Sequence, residues 1–142
     1  MGNLNPFIAE LERIARAAKQ IAPRVAVAIR GEIEREFATG TDPNGNAWAA
    51  LAARTLKRHG PPPLTDTGTM RSTVECKAED GDVRIKIEGA ASQASYHQGG
   101  YTNALTGRFV PARPMLPVDG SIPASWATIV QREFDIATGR AA

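Results

Sequence analysis

The amino-acid sequence predicts an α+β fold in which a long N-terminal helix and a C-terminal helix pack on a small antiparallel β-sheet. Three patterns predict it. Apolar residues recur every three or four positions through the first forty residues, alternation marks residues 73–78 and 82–88, and a second helical pattern closes the chain. The 142 residues fit one domain with one core, so we expect residues 1–142 to form a single domain.

The N-terminal helix has start and stop signals as well as an apolar face. Asn5 is placed to cap it, Pro6 suits its first turn, and Gly40 is placed to end it. Pro23 removes one backbone donor inside the pattern, so we expect a kink or a break near Ala22. The residues of the predicted face are Phe7, Leu11, Ile14, Ala18, Ile21, Val25, Ile29, Ile33 and Phe37.

A turn follows in the segment "TDPNGNAW". Asp42, Asn44 and Asn46 alternate as in a calcium loop, but the glycine is fourth rather than sixth, and Ala53 stands where a bidentate glutamate is needed. The segment is therefore interpreted as a plain turn with turn-forming chemistry.

Residues 47–58 have a short helical bias. Trp48, Leu51 and Leu56 are the residues that we expect to anchor this helix on the core.

The two alternating segments predict a β-hairpin over residues 73–79 and 82–88. A two-residue Asp80-Gly81 turn places Cys76 opposite Ile85 on the apolar face, whereas a three-residue loop would place it opposite Arg84. The two-residue turn matches the apolar faces and is the register that we predict. It also pairs Glu75 with Lys86 and sets Lys77 opposite Arg84.

The rest of the chain contains shorter elements and one more helix. Residues 90–98 predict a short helix ending at Gly99 and Gly100, residues 101–108 an exposed loop, and residues 109–110 a short strand. The segment from Ile122 to Gly139 predicts the C-terminal helix, which begins near Pro123. Its predicted apolar face consists of Trp126, Ile129, Val130 and Phe134.

Composition and motifs argue against several classes of function. A net charge of +2 does not by itself indicate a nucleic-acid binder, and one cysteine excludes an internal disulfide and fits a reducing cytosol. No apolar run approaches a membrane span, and the N-terminus lacks the pattern of a signal peptide. His59, His97 and Cys76 are too far apart in sequence and too unlike in context to predict a zinc site.

Two further chemical patterns are interpreted structurally. Cys76 and His97 form a nucleophile and base on paper, but Cys76 falls on the apolar face of a strand, where cysteine behaves as a small hydrophobe. The basic stretch from Arg54 to His59 is interpreted as a solvated helix face.

The segment "YHQGGYTNALTGRFVPARPMLP" combines a histidine with a proline-bounded arginine. Pro111 fixes its own φ, and Pro114 biases Arg113 toward an extended backbone, so this part is a stiff rod with one guanidinium suited to carboxylates and backbone carbonyls. His97 has no partner carboxylate in the local sequence. We interpret it as a residue that ties a loop to the sheet by hydrogen bonds.

Four segments in this order resemble the phage virion morphogenesis family, the tail completion proteins of Mu-like and related tailed phages. They are "FATGTDPNGNAWAAL", "LTDTGTMRST", "YHQGG" and "VPARPML". Two positions depart from the family's pattern. Gly99 stands where the family often has an aromatic residue, and Met115 stands where it often has phenylalanine. The positions that match the motifs, and that we expect to serve structure and assembly, are Asp42, Gly45, Trp48, Asp66, Gly68, His97, Gln98, Pro111, Arg113 and Pro114.

The resemblance implies a structural virion protein, without enzymatic activity or cofactor, that completes or terminates the tail at the head–tail neck. It implies a homo-oligomeric ring, a hexamer by analogy, that contacts other neck and tail proteins and lets DNA pass without specific binding. The protein would be assembled in the bacterial cytoplasm and reside in the virion.

Three alternatives remain open. The first is a head–tail adaptor or stopper that contacts the portal. The second is a small nucleic-acid-binding module that uses Arg54, Lys57 and Arg58, and the third is a hydrolase that uses His97.

For assembly, we expect residues 99–110 to become ordered only against a neighbouring subunit, with Arg113 bracing that segment. The charged side of the first helix, with Glu32, Arg35 and Glu36, is the second expected contact. Closed rings need such heterologous interfaces, in which two different patches meet.

Overall fold

The computed structural model describes residues 2–53, 57, 63–64, 69–87 and 93–140. It has the predicted α+β fold, with one long helix at the N-terminus, one at the C-terminus and a small antiparallel sheet between them. The elements, in chain order, are α1 (Asn5–Thr39), α2 (Thr69–Ser72), β1 (Glu75–Glu79), β2 (Asp82–Lys86), α3 (Gln93–Gly99), β3 (Tyr101–Thr102), β4 (Phe109–Val110) and α4 (Ala124–Ala137).

Helix α1 runs without interruption through Pro23, which rules out a break and leaves the kink as the open alternative of the prediction. Ile21 and Val25 are buried on either side of the proline, and their packing offsets the hydrogen bond that it removes. A bend within the continuous helix stays a prediction. The N-terminal capping prediction is wrong, because Asn5 is already helical and its N–H donates to Oδ1 of Asn3 at 3.0 Å.

Gly40 ends α1 as predicted. It adopts the left-handed conformation at φ 69°, and its N–H donates to the carbonyl oxygen of Glu36 at 2.8 Å.

The core lies along one face of α1, where α4 and the β1–β2 hairpin pack against it. Helix α4 runs antiparallel to α1. Its first residues lie beside Arg35, and further along Nε of Arg24 donates to a carboxylate oxygen of Glu133 at 2.8 Å. Trp126 and Ile129 are buried as predicted, whereas Val130 lies at the edge of the contact. The buried cluster consists of Ile21, Val25, Ile29, Ile33, Phe37, Trp48, Met70, Val74, Ala94, Met115, Trp126 and Ile129.

The hairpin has the predicted register. Cys76 pairs with Ile85 and packs against the core, and both turn residues have positive φ, 52° at Asp80 and 90° at Gly81. These angles match the twist that a two-residue hairpin turn needs. The like charges of Lys77 and Arg84 do face each other, but each forms an ion pair on its own strand or across the turn. The two strands are shorter than predicted.

Two local predictions are corrected by the backbone. Residues 48–52 are not helical, because Trp48 continues an extended segment that begins with the Thr41–Ala47 bridge. Ala53 and Lys57 are helical, and Leu56 lies outside the described residues.

The predicted loop at 101–108 begins with a strand. Residues 101–102 pair with 109–110 to form a second small hairpin. The expectation that residues 99–110 become ordered only against a neighbour stays a prediction. The loop closes on Asn103, whose side-chain oxygen accepts from the N–H groups of Leu105 and Thr106.

The apolar face of α1 is buried only from Ala17 onward. The prediction of one continuous buried face fails for about its first three turns, where the apolar side chains are exposed. Those exposed residues are Leu4, Phe7, Ile8, Leu11 and Ile14.

Two glycine substitutions test the local conformations. An added Cβ at Gly31, inside α1, has nothing within 4 Å, so Gly31→Ala should raise the free energy of unfolding by about 0.5–1 kcal/mol. Gly81→Ala should lower it by about 1 kcal/mol or more, because alanine is strained at φ 90°. Urea denaturation of both variants beside the wild type measures the two shifts, and shifts of the same sign would contradict the assignment.

Candidate functional site

Three segments that are distant in sequence meet beside the last turns of α1. They are residues 48–50, the end of α3 with Gly100, and the extended segment 110–116, and together they are called the joint below. In the part of the chain that the structure describes, no strand pairs with segment 110–116 beyond Val110, and two of its residues are prolines without an N–H. The polar groups of its backbone therefore need other partners.

Arg113 is buried, with 5% of its surface exposed, and its guanidinium holds residues 49–50. Nε donates to the carbonyl oxygen of Ala49 at 2.8 Å, and one terminal nitrogen donates to that of Ala50 at 2.9 Å. The sequence left a carboxylate or backbone carbonyls open as partners of this guanidinium, and the structure has carbonyls. They belong to residues 49–50 and not to the predicted 99–110 segment. Burial lowers the pKa of Arg113, and nearby Tyr101 opposes that shift. The group still remains a cation, so carbonyl dipoles solvate it.

The side chain of Gln98 forms hydrogen bonds with segment 110–116 of the kind that a paired strand would form. Its side-chain oxygen accepts from the N–H groups of Met115 and Leu116 at 2.9 and 3.1 Å, and its nitrogen donates to the carbonyl oxygen of Leu116 at 2.6 Å. One amide side chain thereby satisfies three backbone groups of the joint. We read this as the physical requirement for glutamine here, since an amide both donates and accepts.

Trp48 and Gly100 complete the joint. Nε1 of Trp48 donates to the carbonyl oxygen of Pro114 at 2.7 Å, and its ring packs edge-on against Phe37 at 5.6 Å. Gly100 has φ 73°, and a Cβ there would lie 2.8 Å from the backbone nitrogen of Ala112. Only glycine permits this approach, so Gly100 fixes how closely α3 and the proline rod pack.

The turn at Asp42 positions Trp48, which is buried in the core. Oδ1 of Asp42 accepts from the N–H groups of Asn44 and Asn46, both at 2.9 Å, and Gly45 adopts φ 86°. The predicted plain turn is confirmed, because the carboxylate is used within the turn. Beyond it, the N–H of Trp48 donates to the carbonyl oxygen of Gly40 at 2.7 Å.

His97 contributes to the joint through its backbone. Its carbonyl oxygen accepts from the N–H of Arg113 at 2.7 Å, whereas Nδ1 of the ring is buried without a hydrogen-bond partner. The predicted tie is therefore made by the peptide group and not by the imidazole. Burial lowers the pKa of His97, and the Arg113 cation lowers it further, so the ring is neutral at physiological pH.

The two positions that depart from the family's pattern fit the structure. Met115 is 1% exposed and belongs to the core cluster, so the thioether fills the space of a larger side chain. A Cβ at Gly99 would have nothing within 4 Å, so this position faces open space and the glycine leaves no cavity in the core. Asp66 and Gly68, which the sequence also singled out, lie outside the described residues, as do Arg54 and Arg58.

The arrangement is suited to holding segments rather than to binding a small ligand. A cleft beside Gln98 and Leu116 measures about 220 Å³, below the roughly 300–1,000 Å³ of ligand pockets. Among the described residues, no group of three or more histidine, cysteine or acidic side chains could hold a metal ion. Nor is any helix in the described ranges both long and apolar enough to cross a membrane. Burial raises the pKa of Cys76, which keeps it a thiol.

Glu36 is the residue that sequence reasoning placed wrongly. It was expected on the charged side of α1, but it is 4% exposed and its Oε2 is buried without a hydrogen-bond partner. Burial raises its pKa to about 8; Glu32 and Asp42 add to the shift, and Arg35 opposes it. Its position, three residues after Ile33 on the buried face, is the signal that could have identified it.

Glu36 predicts that stability depends on pH. The folded carboxyl keeps its proton up to a pH of about 8, whereas the unfolded one loses it near 4.5. The contribution of this carboxyl to the free energy of unfolding is fully present below the unfolded pKa. It is lost as the pH rises to about 8, and the free energy of unfolding falls by at most about 1.4 kcal/mol per pH unit. Glu36→Gln should therefore gain stability over the wild type from pH 5 to 8 in thermal unfolding. Glu12→Gln, on the exposed part of α1, is the control, and an equal gain there would contradict the assignment.

The joint predicts that arginine cannot be replaced by lysine. Arg113→Lys loses the fork on the carbonyls of Ala49 and Ala50, and should lower the free energy of unfolding by about 1–3 kcal/mol. Arg108→Lys, in the exposed 103–108 loop, is the matched control and should be within about 0.5 kcal/mol of the wild type. Chemical denaturation measures both, and equal effects would show that the fork adds nothing.

Comparison with known proteins identifies the family. No curated protein and no solved structure matches the chain. The model of the phage virion morphogenesis family matches residues 3–134, a range that contains every segment of the joint. The chain therefore belongs to the phage virion morphogenesis family and has a structural role in building the phage particle.

Proposed function

We propose that this protein completes the phage tail at the head–tail neck, as a single-domain tail terminator whose subunits close into a ring. By the resemblance given above, the ring is six-fold and lets DNA pass without specific recognition. The protein acts without a cofactor and without catalysis, and its partners are copies of itself and other neck and tail proteins.

The joint is the observation that supports this proposal most. The groups in it that resemble catalytic residues are used to hold backbone, since the guanidinium of Arg113 and the amide of Gln98 bond carbonyl and N–H groups. His97 offers a neutral ring whose Nδ1 is buried. Such a site fixes the relative position of three surface segments, which is what a subunit with several simultaneous neighbours requires.

The exposed surface of the β1–β2 hairpin is consistent with a second role in assembly. Its outer face alternates acidic and basic side chains, with Glu75, Lys77 and Glu79 on one strand and Arg84 and Lys86 on the other. A mixed-sign face binds neither phosphate nor lipid selectively, and it suits a protein neighbour with complementary charges.

An order-of-addition experiment distinguishes a terminator from a head–tail adaptor. In a lysate of phage that lacks this gene, heads and tails should accumulate unjoined, and the purified protein should restore infectious particles. For a terminator, incubation with purified tails before heads are added should restore more particles than incubation with heads. The reverse order of efficiency would instead assign the protein to the head side of the neck.

Two controls accompany it. Particle mass by mass photometry should show one discrete oligomer, and a monomer at all concentrations would contradict the ring. Salt-sensitive retention of DNA by a monomer would favour the nucleic-acid-binding alternative. Of the three basic residues named for that alternative, Lys57 lies within the described residues and is exposed.

A further inference from the structure

The last turn of α1 contains a buried carboxyl group at the point where the chain leaves the helix. Glu36 is 4% exposed, and its Oε2 is buried without a hydrogen-bond partner among the described residues. Its carbonyl oxygen accepts from the N–H groups of both Gly40 and Thr41, at 2.8 and 3.1 Å. The residue therefore anchors the helix end through its backbone, while its side chain lies in a site that suits a neutral group.

From this helix end a short series of contacts leads to the joint. The N–H of Trp48 donates to the carbonyl oxygen of Gly40 at 2.7 Å, and Nε1 of Trp48 donates to that of Pro114, also at 2.7 Å. Phe37, which follows Glu36 in sequence, packs edge-on against the Trp48 ring. Trp48 is thus held both by the end of α1 and by Pro114, so displacement of the helix end also displaces this link.

The turn between Gly40 and Trp48 is organised by a second carboxylate. Oδ1 of Asp42 accepts from the N–H groups of Asn44 and Asn46, both at 2.9 Å. A cleft of about 200 Å³ lies between this turn and the first residues of α4, and residues 44–47 are exposed. The turn is backed on this side by open space rather than by packed side chains, so it is the part of the junction that moves at least cost.

Loss of the Glu36 proton places a charge where repulsion outweighs attraction. Among the described residues, the charges that act on this carboxyl are those of Glu32, Arg35 and Asp42. Two of them are acids, and the guanidinium of Arg35, the one base, already bonds the carboxylate of Glu32. The position in the last turn of a helix adds to the cost, because the C-terminal end of the helix dipole is negative.

The other elements near this end of α1 do not neutralise that charge. Ala124 and Ser125 of α4, which line the cleft, are uncharged. Arg113 of the joint donates to backbone carbonyls, and His97 is neutral because its pKa is lowered by burial and by the Arg113 cation. The charged side chains of β1 and β2 and that of Arg71 in α2 are exposed.

We propose that Glu36 is a proton-controlled latch between α1 and the joint. While its carboxyl carries a proton, the junction formed by residues 36–48 is closed. Loss of the proton opens the Asp42 turn so that water reaches the carboxylate, and it releases Trp48, while the helices and the β1–β2 hairpin stay folded. Opening at the helix end is the least costly response, because a buried unpaired charge is costly and the turn has few packed contacts. This latch does not depend on the neck function.

The pH range of the latch follows from the side chain's surroundings. Burial above all, and then Glu32 and Asp42, raise the pKa of Glu36 to about 8, against the opposing effect of Arg35. A carboxyl whose pKa is raised in the closed form favours that form at lower pH. The junction is therefore closed at neutral pH and opens as the pH rises through about 8.

The fluorescence of Trp48 tests the opening. The chain has two tryptophans, so Trp126→Phe leaves Trp48 as the reporter. Between pH 7 and pH 9, quenching of Trp48 by acrylamide should become at least about twofold stronger, because most of the Glu36 carboxyl ionises over this range. Adding Glu36→Gln should abolish the rise, since an amide does not ionise. Constant quenching with Glu36 present, or the same rise with Glu36→Gln, overturns the proposal.

Glu34→Gln is the matched control on the same helix. Its carboxylate is partly exposed and lies 3.5 Å from Nε of Arg30, so it has the partner and the solvent contact that Glu36 lacks. This variant should keep the full rise in quenching. Loss of the rise here as well would assign it to the general charge of the helix and would overturn the role of Glu36.

Hydrogen exchange followed by mass spectrometry tests the same opening without a tryptophan substitution. In the wild type, protection of a peptide covering residues 38–48, corrected for the intrinsic pH dependence of exchange, should fall at least about threefold between pH 7 and pH 9. Peptides from residues 21–33 should keep their protection, and Glu36→Gln should keep it in both regions. Unchanged protection of residues 38–48 in the wild type, or an equal fall in both regions, which would mean unfolding of the whole domain, overturns the latch.

Discussion

The structure depends on one constraint: segment 110–116 must satisfy its backbone although no strand in the described ranges pairs with it beyond Val110. Prolines at 111 and 114 remove two donors and stiffen the chain, which reduces the number of groups to satisfy and the entropy lost on ordering. Five of the remaining groups are bonded one by one, through the carbonyl of His97, the amide of Gln98 and the indole of Trp48. Each partner comes from a different segment, so satisfying this backbone fixes the positions of α3 and residues 48–50 together.

The burial of Arg113 follows from the same constraint. A buried cation normally requires a carboxylate, but a carboxylate here would be a second charge to desolvate. Two consecutive carbonyls at Ala49 and Ala50 present two aligned dipoles to the guanidinium fork at the cost of no further charge. Those carbonyls are free to accept from the guanidinium because residues 48–52 are not helical. The failure of the predicted helix there and the success of the arginine fork therefore have one physical cause.

The sequence predicted the features that depend on local interactions and missed those that depend on contacts between residues distant in the chain. The β1–β2 register follows from alternation and from the chemistry of Asp80-Gly81, which are local, and it was predictable pair by pair. The helices and the plain turn at Asp42 are local as well. The partners of Arg113 are main-chain atoms about sixty residues away, and a carbonyl has no signature in the sequence. The burial of Glu36 was missed because charge was given more weight than position on the helical face.

A single apolar stripe along α1 supplies the core over part of its length and stays exposed over the rest. Between Ala17 and Phe37 the stripe is covered by α4 and by a two-stranded hairpin, an element too small to be stable by itself. That coverage stabilises the hairpin while it buries the helix, so the two depend on each other. N-terminal of Ala17 the apolar side chains of the same stripe stay largely exposed, and exposed apolar surface has a cost in solubility. The same stripe is therefore structural core over part of its length and exposed surface over the rest.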